Sequence, residues 1–294
     1  MSIKSFWVNS PKVGYSIQIL DNKIHYLEHE AQGECIILLH GLGFSMFSMR
    51  NMYEELAKKD YRVFAIDLPG CGYSSMNQRQ KFSVEHMADV IGEFMKVMNI
   101  ENAHFVGAAE GATYAMSISQ LYPERVKSLT LCSPGSMTNQ YPFYYKQLIN
   151  PMVGEILIKF LNRKRVRTFL NWIYFNQTKI TPTIERQTYE PFENRATKNW
   201  LLYLLRDYND NAVYNHLYLI SCPTLLIWGE YDSAHPITMS ERLLSSIRKS
   251  SLETIKNVGH MTFEIRAEYI ANKIEEKLIN LRETRPSYLP PIDE

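Results

Sequence analysis

The hydrophobic pattern alternates along the chain between short apolar runs and longer segments with helical spacing. The run Cys35–Leu39 contains apolar residues only, which is typical of a strand covered on both faces of a parallel sheet. Ser83 is a good N-cap, and apolar residues recur at helical spacing from there to about Met98. The same reasoning predicts strands at residues 16–20, 24–28, 62–66, 104–106, 126–131, 224–228 and 252–255. Asp21-Asn22 is predicted to form the turn between the first two strands. Further helices are predicted at residues 49–58, 109–121 and 262–281.

This alternation predicts an α/β fold with a doubly wound, mostly parallel sheet. The alternation of strands and helices stops between residues 135 and 221, where long helical patterns rich in aromatic residues replace the strands. We therefore expect a core formed by residues 1–134 and 222–284, with a helical cap at residues 135–221. The tail, residues 285–294, carries three prolines and is predicted to be flexible.

The composition excludes several classes of function. Of the 294 residues, 45% are apolar and 21% are charged, so the chain can bury a large core. Its 32 basic and 31 acidic residues give a net charge of +1, whereas a nucleic-acid or membrane-surface binder needs a basic excess. We therefore expect neither nucleic acid nor membrane as a partner. No apolar run is long enough for a transmembrane helix, and no secretory signal is recognisable.

Cysteine and histidine spacing gives no metal or disulfide framework. The four cysteines are far apart and form no CxxC pair, which favours a reducing cytoplasm. The eight histidines include no HxH or HxxxH pair, and we find no GxGxxG motif or P-loop. We therefore expect neither a metal nor another cofactor.

Four glycine-containing motifs follow predicted strands, at the sheet edge where open α/β sheets bind ligands. They are HGLG at residues 40–43, DLPGCGYS at residues 67–74, VGAAEG at residues 106–111, and WGEYD at residues 228–232 together with VGH at residues 258–260. In this order and at this spacing, the motifs resemble those of the α/β-hydrolase family, specifically its capped members. The resemblance covers about residues 15–280 and implies the α/β-hydrolase fold with an inserted helical cap.

The nucleophile elbow of that family has the pattern G-x-S-x-G. Here Gly107-Ala108-Ala109-Glu110-Gly111 keeps both glycines, but Ala109 stands at the position of the nucleophilic serine. A methyl group cannot attack a carbonyl carbon. The resemblance therefore implies a Ser-His-Asp hydrolase that is inactive, or nearly so, as the sequence stands.

The other catalytic positions of the family are intact. Asp232 matches the acid and His260 matches the base, in the family's chain order. The resemblance implies that His260 takes the proton of the nucleophile, that Asp232 orients the imidazole, and that the backbone N–H groups of Leu42 and Glu110 form the oxyanion hole. The implied reaction is hydrolysis of an ester, thioester, lactone or amide through an acyl-enzyme. Carbon–carbon cleavage is compatible with the same triad.

Three explanations of Ala109 compete. An engineered Ser→Ala change would abolish attack while keeping the shape of the site, and the survival of Asp232 and His260 favours it. Alternatively, the alanine is native and the chain is a pseudoenzyme or a small-molecule receptor on the same fold. In the third explanation, His260 acts as a base directly on water or on the substrate.

Other polar residues in these motifs have simpler roles. We expect His40 to fix its turn, Asp67 to anchor its loop through backbone N–H groups, and His235 to lie at the rim of the pocket. Glu110 leaves several possibilities open. Its carboxylate could bind an amine, raise the pKa of His260, or lie in a polar network at a helix start, where negative charge is favoured.

The predicted cap carries a basic run, Arg163-Lys164-Arg165-Val166-Arg167. Its simplest interpretation is a solvated helix face. The alternative is a docking site for a phosphopantetheinyl carrier protein or a coenzyme A tail, which would make the chain a thioesterase. The aromatic residues of the cap, Tyr141 among them, are expected to form mostly its own core. A few are expected to cover an apolar pocket for a small-molecule acyl substrate.

Overall fold

The computed structural model describes residues 14–76, 82–135, 147–175 and 180–283. Within them lies one eight-stranded sheet with the order β1-β2-β4-β3-β5-β6-β7-β8. Its strands are β1 (Tyr15–Ile19), β2 (Asn22–His29), β3 (Cys35–Leu39), β4 (Arg62–Ile66), β5 (Ala103–Ala108), β6 (Val126–Cys132), β7 (Thr224–Gly229) and β8 (Ser250–Ile255). Only β2 pairs antiparallel with its neighbours, β1 and β4. The other neighbours are parallel, which confirms the predicted doubly wound sheet.

Helices cover both faces of this sheet. The α-helices are α1 (Arg50–Ala57), α2 (Val84–Val97), α3 (Glu110–Leu121), α4 (Pro151–Leu157), α5 (Arg163–Ile173), α6 (Pro182–Tyr189), α7 (Arg195–Asp207), α8 (Asn211–Asn215), α9 (Ser240–Ser246), α10 (Thr262–Ile265) and α11 (Ala267–Glu283). Helices α2 and α3 bury Phe94 and Ala115 in one apolar core, whereas α1 and α11 bury Leu56 and Ile274 in a second core. The sheet is therefore the middle layer of three.

Local signals in the sequence explain where the helices begin. The Ser83 hydroxyl accepts a hydrogen bond of 3.0 Å from the backbone N–H of His86, so Ser83 caps α2 as predicted. The last four residues of β3 are buried, as expected for a strand between two parallel neighbours. Helix α3 starts at Glu110, directly after the end of β5 and Ala109. The elbow motif therefore lies on a strand-to-helix turn.

The structure corrects three predicted boundaries. The hairpin turn is Leu20-Asp21 rather than Asp21-Asn22, because Asn22 already pairs with Ile19 and Leu20 adopts a φ of +50°. The helix predicted at residues 49–58 is preceded by a 3₁₀ turn at Met46–Met49. The final helix, predicted as one segment, is divided at Arg266 into α10 and α11.

Five helices, α4 to α8, lie between β6 and β7 in the described part of residues 135–221, which we call the insert. The predicted domain boundaries stay a prediction. Residues 285–294 and Tyr141, Phe143, Tyr144 and Tyr145 lie outside the described residues. No helix among the described residues is long and apolar enough to cross a membrane.

Candidate active site

The elbow after β5 holds Ala109 in a strained backbone conformation. Its φ is +51° and its ψ is −116°, a combination that costs a residue with a Cβ about 1–3 kcal/mol. The flanking glycines make the turn possible. A Cβ on Gly107 would lie 2.6 Å from the Cα of Ala112, and a Cβ on Gly111 would collide with the carbonyl of Leu39. The elbow therefore keeps the tight strand-to-helix turn of the motif, although the residue at its tip is a buried alanine.

Asp232 and His260, predicted as acid and base, are hydrogen-bonded to each other. The Oδ2 of Asp232 lies 2.9 Å from the Nδ1 of His260, and both residues are buried. The other carboxylate oxygen, Oδ1, accepts hydrogen bonds from the backbone N–H groups of Ala234 at 3.0 Å and His235 at 2.8 Å. The carboxylate is therefore fixed from both sides. Because the Nδ1 of His260 is hydrogen-bonded to Asp232, the Nε2 of His260 remains available to a ligand.

The pKa values of this pair move in opposite directions. Burial by itself lowers the pKa of His260, but the Asp232 carboxylate and then that of Glu110 more than offset burial, so the pKa of His260 is raised. Burial by itself raises the pKa of Asp232, but His260 and His235 outweigh it, so the pKa of Asp232 is lowered. Both shifts favour an imidazolium–carboxylate pair.

His235 lies closer to this pair than expected for a residue at the pocket rim. Its ring packs edge-on against the ring of His260, with centroids 4.8 Å apart. Its Nδ1 donates a 2.8 Å hydrogen bond to the carbonyl of Ser133, and its own carbonyl accepts one of 2.8 Å from the indole of Trp228. Burial and the neighbouring His260 lower the pKa of His235, so its neutral form is favoured. His235 therefore packs against the ring of His260 as an uncharged side chain.

His40 and Asp67 have the contacts expected of structural residues. The Nε2 of His40 accepts a 3.1 Å hydrogen bond from the N–H of Leu68, so its Nδ1 donates to the carbonyl of Gly41 at 2.8 Å. Asp67 accepts backbone hydrogen bonds from Met46 at 2.7 Å and Tyr73 at 3.0 Å. These contacts hold the two loops beside the elbow in place.

Leu42, a predicted oxyanion donor, already has an acceptor. Its backbone N–H donates a 2.8 Å hydrogen bond to the Oε2 of the Glu110 side chain. The residue Glu110 is only 4% exposed, and a Cβ placed on Gly41 would lie 3.3 Å from the same Oε2 and 3.2 Å from the Cβ of Ala109. A carboxylate oxygen therefore lies beside the elbow, where it accepts a hydrogen bond from one of the two predicted oxyanion donors.

Two cavities meet beside these residues. The smaller has a volume of about 50 Å³ and is lined by Ala109, Glu110, His235 and His260 among others. The larger has a volume of about 320 Å³ and an almost entirely apolar lining, contributed mainly by the insert. Leu42 and Phe169 line both cavities. A small cavity beside His260 therefore lies next to a larger apolar one.

The comparison with known families identifies the architecture. A family model described as the alpha/beta hydrolase fold matches residues 34–267, which is most of the chain. The chain belongs to the alpha/beta hydrolase fold family. The predicted α/β-hydrolase fold is thereby confirmed.

Relatives of this alpha/beta hydrolase are named hydrolases. An uncharacterized hydrolase of Bacillus subtilis (strain 168), YugF, is 24% identical over 255 residues, covering 86% of this chain and 93% of that protein. A 2-hydroxy-6-oxononadienedioate/2-hydroxy-6-oxononatrienedioate hydrolase of Comamonas testosteroni is 28% identical over 261 residues, covering 82% and 86%. Among solved structures, a mutant meta-cleavage product hydrolase from Pseudomonas fluorescens IP01, complexed with acetates, aligns with a TM-score of 0.80 and 21% identity. That alignment covers 92% of this chain and all of the other.

The insert of this alpha/beta hydrolase contacts the loop that carries His260 through residues that the sequence did not single out. The backbone N–H of His260 donates a 3.1 Å hydrogen bond to the carbonyl of Ile173, the last residue of α5. This approach is close, because a Cβ on Gly259 would lie 2.7 Å from the Cβ of Phe175. The glycine preceding His260 was the available signal, but its partner on the insert could not be read from the sequence.

A buried polar network reinforces this junction. Glu264 at the end of α10 forms an ion pair with Arg50 of α1 and accepts a hydrogen bond from the hydroxyl of Tyr174. Tyr174 and Glu264 are buried, and Arg50 is largely so. The network joins the core, the segment after His260 and the end of α5.

Proposed function

We propose that this site is the active site of a Ser-His-Asp hydrolase in which Ala109 occupies the nucleophile position. As the sequence stands, the chain binds its substrate without forming an acyl-enzyme. The observation that carries the proposal is the strained elbow, which lines one cavity together with His260, the hydrogen-bond partner of Asp232. The strain brings no benefit to an alanine methyl group, whereas the same conformation exposes a nucleophile to its base.

The residues present account for the remaining steps of such a reaction. With serine at position 109, the Nε2 of His260 would accept the proton of the hydroxyl and return it to the leaving group. Asp232 would hold the ring and stabilise the imidazolium, and the N–H groups of Leu42 and Glu110 would donate to the oxyanion. A triad without its nucleophile keeps only about 10³–10⁴-fold catalysis over water.

The substrate class follows from the two cavities. We propose a carbonyl compound with an apolar group, such as an ester, thioester, lactone or amide, with a carbon–carbon bond to a carbonyl as a further possibility. The Comamonas testosteroni relative is named for a dienedioate, which carries two carboxylates. Here the charged side chains beside the elbow include the carboxylate of Glu110, which would repel an anionic ligand. We therefore expect a neutral or cationic substrate.

A receptor is the second candidate, and the hydrogen bond between Glu110 and Leu42 favours it. An oxyanion needs that N–H group, and a carboxylate occupying it opposes the developing negative charge. In a receptor this feature has no cost, because no oxyanion forms.

The carrier-protein alternative remains a proposal about the basic run on α5. Arg163 forms an ion pair with Glu193 and Arg167 with Glu185, so two of its four cations already have acidic partners. Lys164 and Arg165 are exposed. If a carrier docks here, replacing Lys164 by alanine should raise the KM for a carrier-bound thioester but not for a small ester, because Lys164 is exposed and lines neither cavity. Equal effects on both substrates would exclude docking at this run.

The direct test of the hydrolase proposal is to restore the nucleophile. Ala109→Ser should react with a fluorophosphonate probe, with the added mass at position 109 after peptide mapping. The variant Ala109→Ser/Glu110→Gln should react as well, because the amide is a weaker competitor for the N–H of Leu42. The native chain should not react.

The matched control removes the base. Ala109→Ser/His260→Ala keeps the hydroxyl and should lose the reaction, which shows that labelling depends on the pair and not on mere exposure of a serine. If neither Ala109→Ser nor Ala109→Ser/Glu110→Gln is labelled although both are folded, the hydrolase proposal is wrong and the receptor becomes the leading candidate.

A further inference from the structure

The side chain of Glu110 is a buried carboxylate without a cationic partner among the described lysines and arginines. The residue is 4% exposed, and its Oε2 accepts a hydrogen bond from the N–H of Leu42. No described lysine or arginine forms an ion pair with it. The start of α3 and, when it is protonated, His260 compensate this carboxylate in part. A ligand that supplies a further positive charge is therefore favoured.

The charges around the smaller cavity leave an excess of negative charge. Glu110 and Asp232 contribute two carboxylates, and His260 contributes one positive charge when it is protonated. His235 favours its neutral form. With both carboxylates ionised, the described groups therefore carry at least one uncompensated negative charge, whether or not His260 is protonated.

The space beside Glu110 fits a compact group. The smaller cavity, at about 50 Å³, has room for a few water-sized groups. A primary ammonium is of this size and presents three N–H donors, which suit a carboxylate acceptor. A larger charged group, such as a guanidinium, would need the larger cavity.

The larger cavity defines the rest of the ligand. Its volume of about 320 Å³ accommodates an apolar chain of several carbons, and its apolar lining includes Leu157, Leu161 and Phe192. Its described lining has one charged side chain, Arg165, which is exposed and lies over the ring of Phe160 at 5.7 Å. Since Leu42 and Phe169 line both cavities, a ligand could extend from Glu110 into the apolar space.

We infer that the site takes an amphiphilic primary amine, with Glu110 binding the ammonium group and the larger cavity holding the apolar chain. Glu110 is then a specificity-determining residue of the proposed substrate site, and the inference rests on that proposal for the identity of the pocket. For a hydrolase, the substrate is an ester, thioester, lactone or amide whose acyl or leaving group carries a protonated amine.

Calorimetric titration of the native chain with three matched probes tests this inference. Hexylammonium, 1-hexanol and hexanoate share one chain and differ in the charge of the head group. We expect hexylammonium to bind at least about tenfold more tightly than 1-hexanol, the size of effect typical of a hydrogen bond to a charged group. Hexanoate should bind most weakly because Glu110 repels it.

Two variants locate the effect. Glu110→Gln keeps an amide oxygen that can accept from Leu42, and it should reduce the preference for hexylammonium over 1-hexanol to less than about threefold. Glu101→Gln is the matched control, because this exposed carboxylate precedes β5 at the opposite end of that strand from the elbow, and it should leave the preference unchanged. The ligand series on the native chain remains decisive even if Glu110→Gln lowers stability.

The inference is overturned if hexylammonium does not bind, if it binds no better than 1-hexanol, or if its advantage survives Glu110→Gln. These outcomes are separate from those of the hydrolase proposal. Fluorophosphonate labelling of Ala109→Ser without an ammonium preference would leave the hydrolase standing and remove the amine site. An ammonium preference that depends on Glu110, without labelling, would leave an amine receptor.

Discussion

The Oε2 of Glu110 accepts a hydrogen bond of 2.8 Å from the backbone N–H of Leu42, one of the two oxyanion donors predicted from the sequence. This contact and the alanine at position 109 are two separate departures from a serine hydrolase site. Restoring the nucleophile alone therefore addresses only one of them.

The pH dependence of labelling should report the Asp232–His260 pair. In the Ala109→Ser background, the base must be neutral, so the labelling rate should rise with pH through the raised pKa of His260, above its ordinary value of 6.5. Asp232→Asn removes the strongest influence that raises this pKa, so the midpoint should move to lower pH. The rate should also fall by roughly 10⁴-fold, the scale seen when a triad acid becomes an amide. An unchanged midpoint would show that Asp232 does not control His260.

The elbow glycine Gly111 should not tolerate a side chain. A Cβ there collides with the backbone carbonyls of Leu39 and His40, so Gly111→Ala should lower the free energy of unfolding by about 2 kcal/mol or more. Gly92→Ala in α2 is the matched control, since its Cβ would meet only the ring of Tyr122 at 3.6 Å. That variant should be neutral or up to about 1 kcal/mol more stable. Urea unfolding of both variants measures the contrast, and equal losses would contradict it.

The buried tyrosine at the junction with the insert should contribute to stability. Tyr174→Phe removes the hydrogen bond to Glu264 but leaves the ion pair of Glu264 with Arg50, so a loss of about 1–2 kcal/mol is expected in urea unfolding. Tyr218→Phe, at a position that is 66% exposed, should change stability by less than about 0.5 kcal/mol. If the two variants are equally stable, the hydrogen bond between Tyr174 and Glu264 does not contribute to the free energy of unfolding.

Acid should destabilise the fold through His104. Burial lowers the pKa of His104 to about 4, although the nearby Glu34 partly opposes this shift. Between pH 6.5 and 4 the unfolded state binds a proton that the folded state does not, so stability falls as the pH falls, by at most about 3 kcal/mol. His104→Gln should flatten this part of the stability profile, whereas His216→Gln, at an exposed position, should not. If His104→Gln leaves the dependence of stability on pH unchanged, His104 is not the group that destabilises the fold in acid.

Much of the architecture was accessible from the sequence because its signals are local. The uniform apolar run of β3 and the serine cap of α2 each specify an element within a few residues. The order of the glycine motifs indicated the family. The hairpin turn was misplaced by one residue because Leu20, and not an asparagine or aspartate, adopts the positive φ there.

The parts of the site that were missed depend on contacts between distant segments. The spacing of Glu110 and Leu42, 68 residues apart, gave no indication that the side chain of one would bind the N–H of the other. The same holds for the edge-on packing of His235 against His260 and for the hydrogen bond from His260 to Ile173. These contacts are set by packing between loops, which leaves no periodic pattern in the sequence.

The measurement that tests the central claim most directly is trapping of an acyl-enzyme. Ala109→Ser and Ala109→Ser/Glu110→Gln would each be mixed with p-nitrophenyl hexanoate, quenched in acid over a time course, and examined by intact mass. We expect one hexanoyl group at position 109 in both variants, formed at least about tenfold faster in the double variant because the carboxylate no longer opposes the oxyanion. Absence of the adduct from both folded variants would contradict this expectation.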